Sequence, residues 1–597
     1  MKQFFKMFFA SLLGVIVASV VIVGLFIGAI VGLATKAVSS SSPEPKTVKE
    51  NSLLKLDLSQ SFHEQGEVNS FSFMGSDGAS EAGVYEITKA MEAAGKDDKI
   101  KGLLIKMAPS PNSFATLQQI RASIAAFKKS GKFVYAYGES VTQGALYVGS
   151  VADSIFVNPA GDVELKGLTS SLAFFKNTLA KLEVEPEIFY AGKFKSATEP
   201  FRADKMSDEN RKQIAAIQGD VWAEMLTALA GHAHSDTAAI NALAQAGTIQ
   251  FPQDAVDHKI VDGIRYWDEV EAMMKKKLGV KEDKEIAYAD FDEYASKDPD
   301  DEISKDGRIA VIFAEGQIKD GESSDDYEIT DQDMAKTIRT VRNNDKIKAV
   351  VLRVNSPGGS ARASEIILRE LQLLHKKKPI IVSMGDVAAS GGYYISCAAD
   401  SIFAMPTTIT GSIGVFSMMF NTEKLMTNKL GITFDQQKNA PYADFPNGTR
   451  KMTPAEAAMM QRGVDTIYAL FKRRVANGRR MTEANVDSIA QGRVWTGLAA
   501  QRIGLVDGMG DLDRAIKSAA AMAKVKDYEI RTYPEPVDKL KSFMKKFKGS
   551  NASAQETIAK AVVQELGAEA KDLIRLKNLQ QMNGRVMMLL PFEMDMK

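Results

Sequence analysis

Short apolar runs rich in β-branched residues recur along the chain, separated by stretches whose apolar positions fall at helical spacing. Gly102-Leu103-Leu104-Ile105 and Ala349-Val350-Val351-Leu352 are two such runs; Phe133-Val134-Tyr135-Ala136 and Ile380-Ile381-Val382-Ser383 are two more. Runs of this length without polar alternation predict strands buried on both faces, as in parallel sheets. The helical stretches between them predict strand-helix-strand units with right-handed crossovers, hence an α/β fold. Thr453-Pro454-Ala455-Glu456 is a capping box with proline at the first helical position, so a helix starts there, and a partner helix begins near Ser207. Between Ala554 and Leu579, the residues Ile558, Val562, Val563 and Leu566 keep helical spacing and predict an amphipathic helix for the core or for an oligomer contact.

The N-terminus has a different pattern. No charged residue occurs from Met7 to Thr35. About 20 apolar residues cross a bilayer core, and a cleavable signal peptide carries an apolar region of only about 7–15. The stretch therefore predicts one transmembrane helix. Lys2 and Lys6 precede it and Lys36 follows, a mild bias toward a cytoplasmic N-terminus. No later segment is long and apolar enough to span, which places the remaining residues outside the cytoplasm. Ser39 to Lys46, with Pro43 and Pro45, reads as a linker.

The strand pattern is written twice. Residues 98–156 and 345–403 run in parallel without a gap at an offset of 247, from Asp98 and Asp345 to Phe156 and Phe403. Two copies this long are two tandem domains rather than a solenoid. The acidic, polar run Ser296 to Gly307 separates them, and Arg308 to Phe313 opens the first strand of the second. The expected organisation is an anchor and linker over residues 1–46, a first domain over 47–300 and a second over 301–597.

Composition narrows the function classes. The 75 Lys and Arg balance the 75 Asp and Glu, giving no electrostatic reason to expect nucleic acid. Cys397 is the single cysteine, which excludes an internal disulfide framework and a cysteine-rich metal site. His232 and His234 flank a loop with no obvious third ligand. No metal or other cofactor is expected.

Candidate chemistry lies where the copies diverge. Ser356-Pro357-Gly358-Gly359 follows a buried strand and stands opposite Pro109-Ser110-Pro111-Asn112; Ser390-Gly391-Gly392 stands opposite Gln143-Gly144-Ala145. Glycines after a strand let backbone N–H groups face a ligand, and Gly391 opens a helix whose N-terminus is positive. Together the two loops offer a nucleophile, Ser390, and oxyanion donors at Gly359 and Gly391, which is what acyl transfer needs. Such a serine needs a base. None of His63, His232, His234, His258 or His375 sits in a segment resembling a triad histidine. A buried lysine with a lowered pKa can serve, but the residues alone do not say which one.

The sequence Asn355-Ser356-Pro357-Gly358-Gly359-Ser360, then Met384 to Tyr394 with Ala389-Ser390-Gly391-Gly392, then Thr410-Gly411-Ser412-Ile413-Gly414-Val415 resembles the signal peptide peptidase SppA family, also called protease IV, in its long duplicated bacterial form. The resemblance covers essentially the whole chain. It implies a tandem pair of crotonase- or Clp protease-like α/β domains with repeated ββα units. It implies Ser390 as nucleophile, Lys195 in Lys195-Ser196-Ala197-Thr198-Glu199-Pro200-Phe201 as base, and Ser412 as the partner of the lysine amine. It also implies a membrane-anchored, periplasm-facing serine endopeptidase of the bacterial inner membrane. Such an enzyme degrades cleaved signal peptides and other hydrophobic peptides, as a homotetramer. The offset places Tyr442 opposite Lys195, so each half carries one of the two reacting groups and the site must form across an interface. A crotonase-type acyl-CoA enzyme, an inactive membrane scaffold and a Ser-His-Asp hydrolase are the alternatives.

Overall fold

The computed structural model describes residues 48–68, 82–291, 294, 307–323, 327–538 and 584–590. The apolar span Met7 to Thr35, its linker and the amphipathic stretch Ala554 to Leu579 lie outside the described residues. Among the described residues no helix is long and apolar enough to cross a membrane.

The repeated apolar runs form the parallel centres of two sheets, the second of which ends in an antiparallel edge strand. In the first half the spatial order is Gly263–Ile264, Ser154–Val163, Phe133–Val141, Ile100–Met107, Ser52–Asp57 and Tyr288–Ala289, with every pairing parallel. In the second half the order is Val494–Thr496, Ile409–Gly411, Ile380–Ala389, Ile347–Ser356, Arg308–Glu315 and Glu529–Tyr533, and Ser401–Ala404 also pairs with Ile380–Ala389. Central residues such as Leu103, Ile105, Val350 and Leu352 are fully buried, which explains why these strands read as continuous apolar runs.

The duplication extends to details. Helices Asp208–Ala233 and Pro454–Arg479 are both 26 residues long, capped at their starts by Ser207 and Thr453 and ended by left-handed His234 and Arg480. Asp262 Oδ2 accepts the backbone N–H of Ile155 at 2.7 Å, and Asp507 Oδ2 accepts that of Ile402 at 2.8 Å. His232 stands near Asp262 where the second half pairs Arg479 with Asp507.

A third sheet joins the halves. Its order is Glu328–Thr330, Gln317–Lys319, Gly358–Ser360, Val586–Leu589, Val415–Asn421 and Glu185–Ala191. Glu185–Ala191 leaves the first half and runs antiparallel to Val415–Asn421 of the second, from Ala191 opposite Val415 to Glu185 opposite Asn421. Val184 and Phe201 from the first half share an apolar cluster with Phe416 and Met418 from the second. Two of these strands depart from the sequence reading: Gly358–Ser360, expected as a loop, is a sheet member, and Val586–Leu589 is a strand near the C-terminus.

A buried ion pair closes the remaining interface. Arg353 of the second half is fully buried; its Nε donates to Glu64 Oε2 of the first half at 2.7 Å and its Nη2 to Gln119 Oε1 at 2.9 Å. Asp386 accepts the backbone N–H and the hydroxyl of Thr116, each at 2.7 Å. Burial holds the Glu64 carboxyl above the usual carboxylate range, against the pull of Arg353. Removing one member of a buried pair leaves the other uncompensated and costs about 3–5 kcal/mol. Arg353→Leu should therefore lower unfolding free energy by about that amount at pH 8, measured by denaturant titration. The loss should shrink at pH 5, where Glu64 takes up a proton. A loss independent of pH would show that Glu64 is not the group left unpaired.

Candidate active site

Ser390 stands at the sharp turn between strand Ile380–Ala389 and helix Gly391–Ser396, with φ 54° and ψ −111°. A serine at positive φ is held there by its surroundings, and here its N–H donates to the Gly411 carbonyl at 2.8 Å. The glycines on either side of the cleft meet backbone to backbone. A Cβ on Gly358, at φ 92°, would come 2.5 Å from the Gly391 nitrogen, and a Cβ on Gly391 would come 3.1 Å from the Gly359 nitrogen. A side chain at either position would collide with the backbone of the facing loop.

Lys195 arrives from the other half. Strand Glu185–Ala191 delivers the chain to Gly192, whose added Cβ would collide with the Gln491 backbone at 2.4 Å. Phe194 N–H then donates to the Gln491 carbonyl at 2.8 Å. Fully buried Gln213 ties this loop to the second half: its Nε2 donates to Ser196 Oγ at 3.1 Å, while its Oε1 accepts the Val494 N–H at 3.1 Å. Ser412, at φ 51°, is set by its N–H bond to the Arg493 carbonyl at 2.7 Å.

These elements bring the three side chains together in a site sealed from solvent. Lys195 Nζ lies 3.0 Å from Ser390 Oγ, 2.9 Å from Ser412 Oγ and 2.5 Å from the Leu589 carbonyl oxygen. Lys195, Ser390 and Ser412 each have 0% relative exposure. Desolvation lowers the Lys195 pKa well below its ordinary value, since burial disfavours an ammonium. A neutral amine has two hydrogens and one lone pair. With the hydrogens given to Ser412 Oγ and the Leu589 carbonyl, the lone pair faces the Ser390 hydroxyl.

The histidines are occupied elsewhere. His63 Nδ1 lies 2.9 Å from Glu315, His232 lies 3.3 Å from Asp262, His375 lies 2.9 Å from Asp400, and His234 and His258 cap helix ends. In the first half, Gln143 fills the place of Ser390. Its Oε1 accepts the N–H groups of Lys166 and Gly167, both at 2.9 Å, and its Nε2 donates to the Gly167 carbonyl at 3.0 Å. That amide plugs the duplicate site.

Two participants escaped the sequence reading. Strand Val586–Leu589 lies between Gly358–Ser360 and Val415–Asn421, antiparallel to both, and puts the Leu589 carbonyl against Lys195. The apolar run Val586-Met587-Met588-Leu589-Leu590 is its one signal. Gln213 has no signal, because nothing local marks one glutamine on a long helix as a crosslink.

The model of peptidase family S49 matches residues 126–281 and 372–526, one match in each half, and the Clp protease model matches residues 307–410. Protease 4 of Salmonella typhi is 36% identical over 489 residues, covering 80% of this chain and 78% of that protein. Protease 4 of Haemophilus influenzae is 32% identical and covers 83% of each chain. The chloroplastic serine protease SPPA of Arabidopsis thaliana is 32% identical, covering 74% of this chain and 66% of that one. The chain belongs to peptidase family S49.

A buried amine without its proton destabilises the fold in proportion to what it gives up. The unfolded chain holds more protons than the folded one between the lowered pKa of Lys195 and that of a free lysine, so stability rises with pH across that window. Lys195→Met should thus melt higher than wild type at pH 7, with the gap closing as pH approaches the free-lysine range, read by thermal denaturation. A lower melting temperature at pH 7 would mean that the amine is charged and well satisfied.

Proposed function

We propose that this chain is a serine endopeptidase working through a Ser390–Lys195 dyad, with Ser412 orienting the amine and the Gly359 and Gly391 N–H groups receiving the oxyanion. The observation that carries the assignment is the Lys195 amine, dry and within hydrogen-bond distance of both hydroxyls. Ser390 Oγ gives its proton to Lys195 Nζ and attacks the scissile carbonyl carbon. The ammonium returns the proton to the leaving amine, leaving an acyl-serine. A water molecule then loses a proton to the same amine and attacks the acyl carbon, and the ammonium returns that proton to Ser390 Oγ as the acid departs.

The substrate binds as an extended strand. Val586–Leu589 models its course, since that segment already pairs with Gly358–Ser360 on one side and Val415–Asn421 on the other. Met587 packs with Phe416, Met418 and Leu179, and Met588 is buried in the second-half core. Grooves of this lining suit signal peptides left after cleavage and other apolar peptides. Residues 1–46 anchor the chain by one span in the bacterial inner membrane, with halves 47–300 and 301–597 facing the periplasm. The working form is a homotetramer. An acyl-CoA enzyme or an inert scaffold has no use for a neutral buried lysine against a serine hydroxyl.

Ser390→Ala should lower kcat on an apolar peptide by at least about 10³-fold, the scale on which nucleophile loss acts. Lys195→Arg should be equally inactive, because guanidinium stays protonated. Wild-type kcat/KM should rise with pH as Lys195 loses its proton, with a midpoint well below the free-lysine range. An inactive single-histidine variant alongside an active Lys195→Ala would return the mechanism to a histidine base.

The C-terminal strand competes for the groove. A chain ending at Asn583 should show a severalfold lower KM for short apolar peptides, with kcat kept because a carbonyl of the bound peptide strand takes the place of the Leu589 carbonyl against the Lys195 amine. A loss of kcat on truncation would make the strand a fixed wall of the site.

A further inference from the structure

The strand that fills the groove brings a charge with it. Gly358, Gly359 and Ser360 stand opposite Leu589, Met588 and Met587 in an antiparallel ladder, and Ser360 caps helix Ala361–His375. The same register continued sets Arg585 beside Arg362, at the end of the ladder away from Lys195. Arg585 thus leads an apolar run, Val586-Met587-Met588-Leu589-Leu590, whose Leu589 carbonyl meets the Lys195 amine. At the strand rise of about 3.3 Å per residue, the guanidinium-bearing residue lies about 13 Å up the groove from Leu589.

Asp320 receives that charge. It follows strand Gln317–Lys319, in which Ile318 stands opposite Gly359 in a parallel pairing. Its Oδ1 accepts the Ser360 hydroxyl at 2.8 Å and Arg362 Nε at 3.1 Å, and its Oδ2 accepts Arg585 Nη1 at 3.4 Å. The Asp320 side chain is 12% exposed, whereas those of Arg362 and Arg585 are 73% and 63% exposed. The carboxylate is therefore fixed in the fold by the capping serine, and the guanidiniums come to it from solvent. A peptide that takes the place of the C-terminal strand displaces Arg585 as well and finds Oδ2 open.

We propose that Asp320 is a specificity-determining residue, taking a lysine or arginine four residues before the residue whose carbonyl meets the Lys195 amine. The preferred substrate is then a peptide with a basic residue directly ahead of an apolar run. A signal peptide has that order, its charged segment leading into its apolar one. The apolar part packs as Met587 and Leu589 do, against Phe416, Met418 and Leu179, and would tolerate several registers. The charge selects among them, because a slip of one residue turns every side chain to the other face and takes the cation from Asp320. The contact is partly exposed, so it discriminates by about two- to fivefold and leaves most of the affinity to the apolar run. The inference rests on the groove as a peptide site and is independent of the dyad.

The test uses the full-length chain with Ser390→Ala, so that binding is measured without turnover, and two peptides labelled with fluorescein at the C-terminus. One is Arg-Val-Met-Met-Leu-Leu; the other has Gln in place of Arg. Fluorescence anisotropy should give the Arg peptide a Kd about two- to fivefold lower. Asp320→Asn, which keeps an oxygen for Ser360, should bring the two Kd values together, and Asp320→Glu should keep them apart. If Asp320 served only to latch the chain's own strand, Asp320→Asn would tighten both peptides equally and the ratio would be one throughout. Equal Kd values with Asp320 present, a ratio that survives Asp320→Asn, or no binding of either peptide would overturn the proposal. With Ser390 restored, turnover of neither peptide would count against the peptidase reading, while the Kd ratio still decides the role of Asp320.

Discussion

A lysine amine cut off from water keeps its proton off only where hydroxyls and carbonyls accept its hydrogens and no carboxylate draws it into an ion pair. Lys195 meets that condition through Ser412 and the Leu589 carbonyl, and the rest of the architecture serves to keep it met. Strand Glu185–Ala191 crosses out of its own half to carry the lysine; Gln491 and Gln213 tie the loop to the second half; Arg353 and Glu64 seal the far side of the interface. Each of these contacts runs between halves. Separating them would expose the amine to water and raise its pKa toward that of an ordinary lysine.

Duplication followed by division of labour accounts for the asymmetry. Both halves keep the parallel sheet, the long capped helix and the aspartate that ties a strand N–H. The second half keeps the glycine-lined turn at Ser390, whereas the first closes the same place with Gln143, whose amide satisfies the Lys166 and Gly167 backbone. The first half in turn keeps the lysine. Each half thus holds one member of the proposed dyad.

Much of this was legible before any coordinates. Fully buried strands announce themselves as apolar runs, so both parallel sheets and their repeat could be read directly, as could the Ser390 turn. Lys195 could be named only through resemblance, because its special property is burial, which composition does not reveal among so many lysines. Glu185–Ala191 was hidden for a related reason: Pro186 and two glutamates interrupt the apolar pattern, and the strand forms only because Val415–Asn421 awaits it. Val586–Leu589 was hidden by distance, lying far in sequence from the groove it fills.

The most direct test of the composite site is labelling with a serine-directed fluorophosphonate, followed by peptide mapping across pH. One adduct on Ser390 is predicted, its rate rising as Lys195 deprotonates and vanishing in Lys195→Ala although every second-half residue is intact. Undiminished labelling of Ser390 in Lys195→Ala, or an adduct on another serine, would contradict a nucleophile in one half activated by a base from the other.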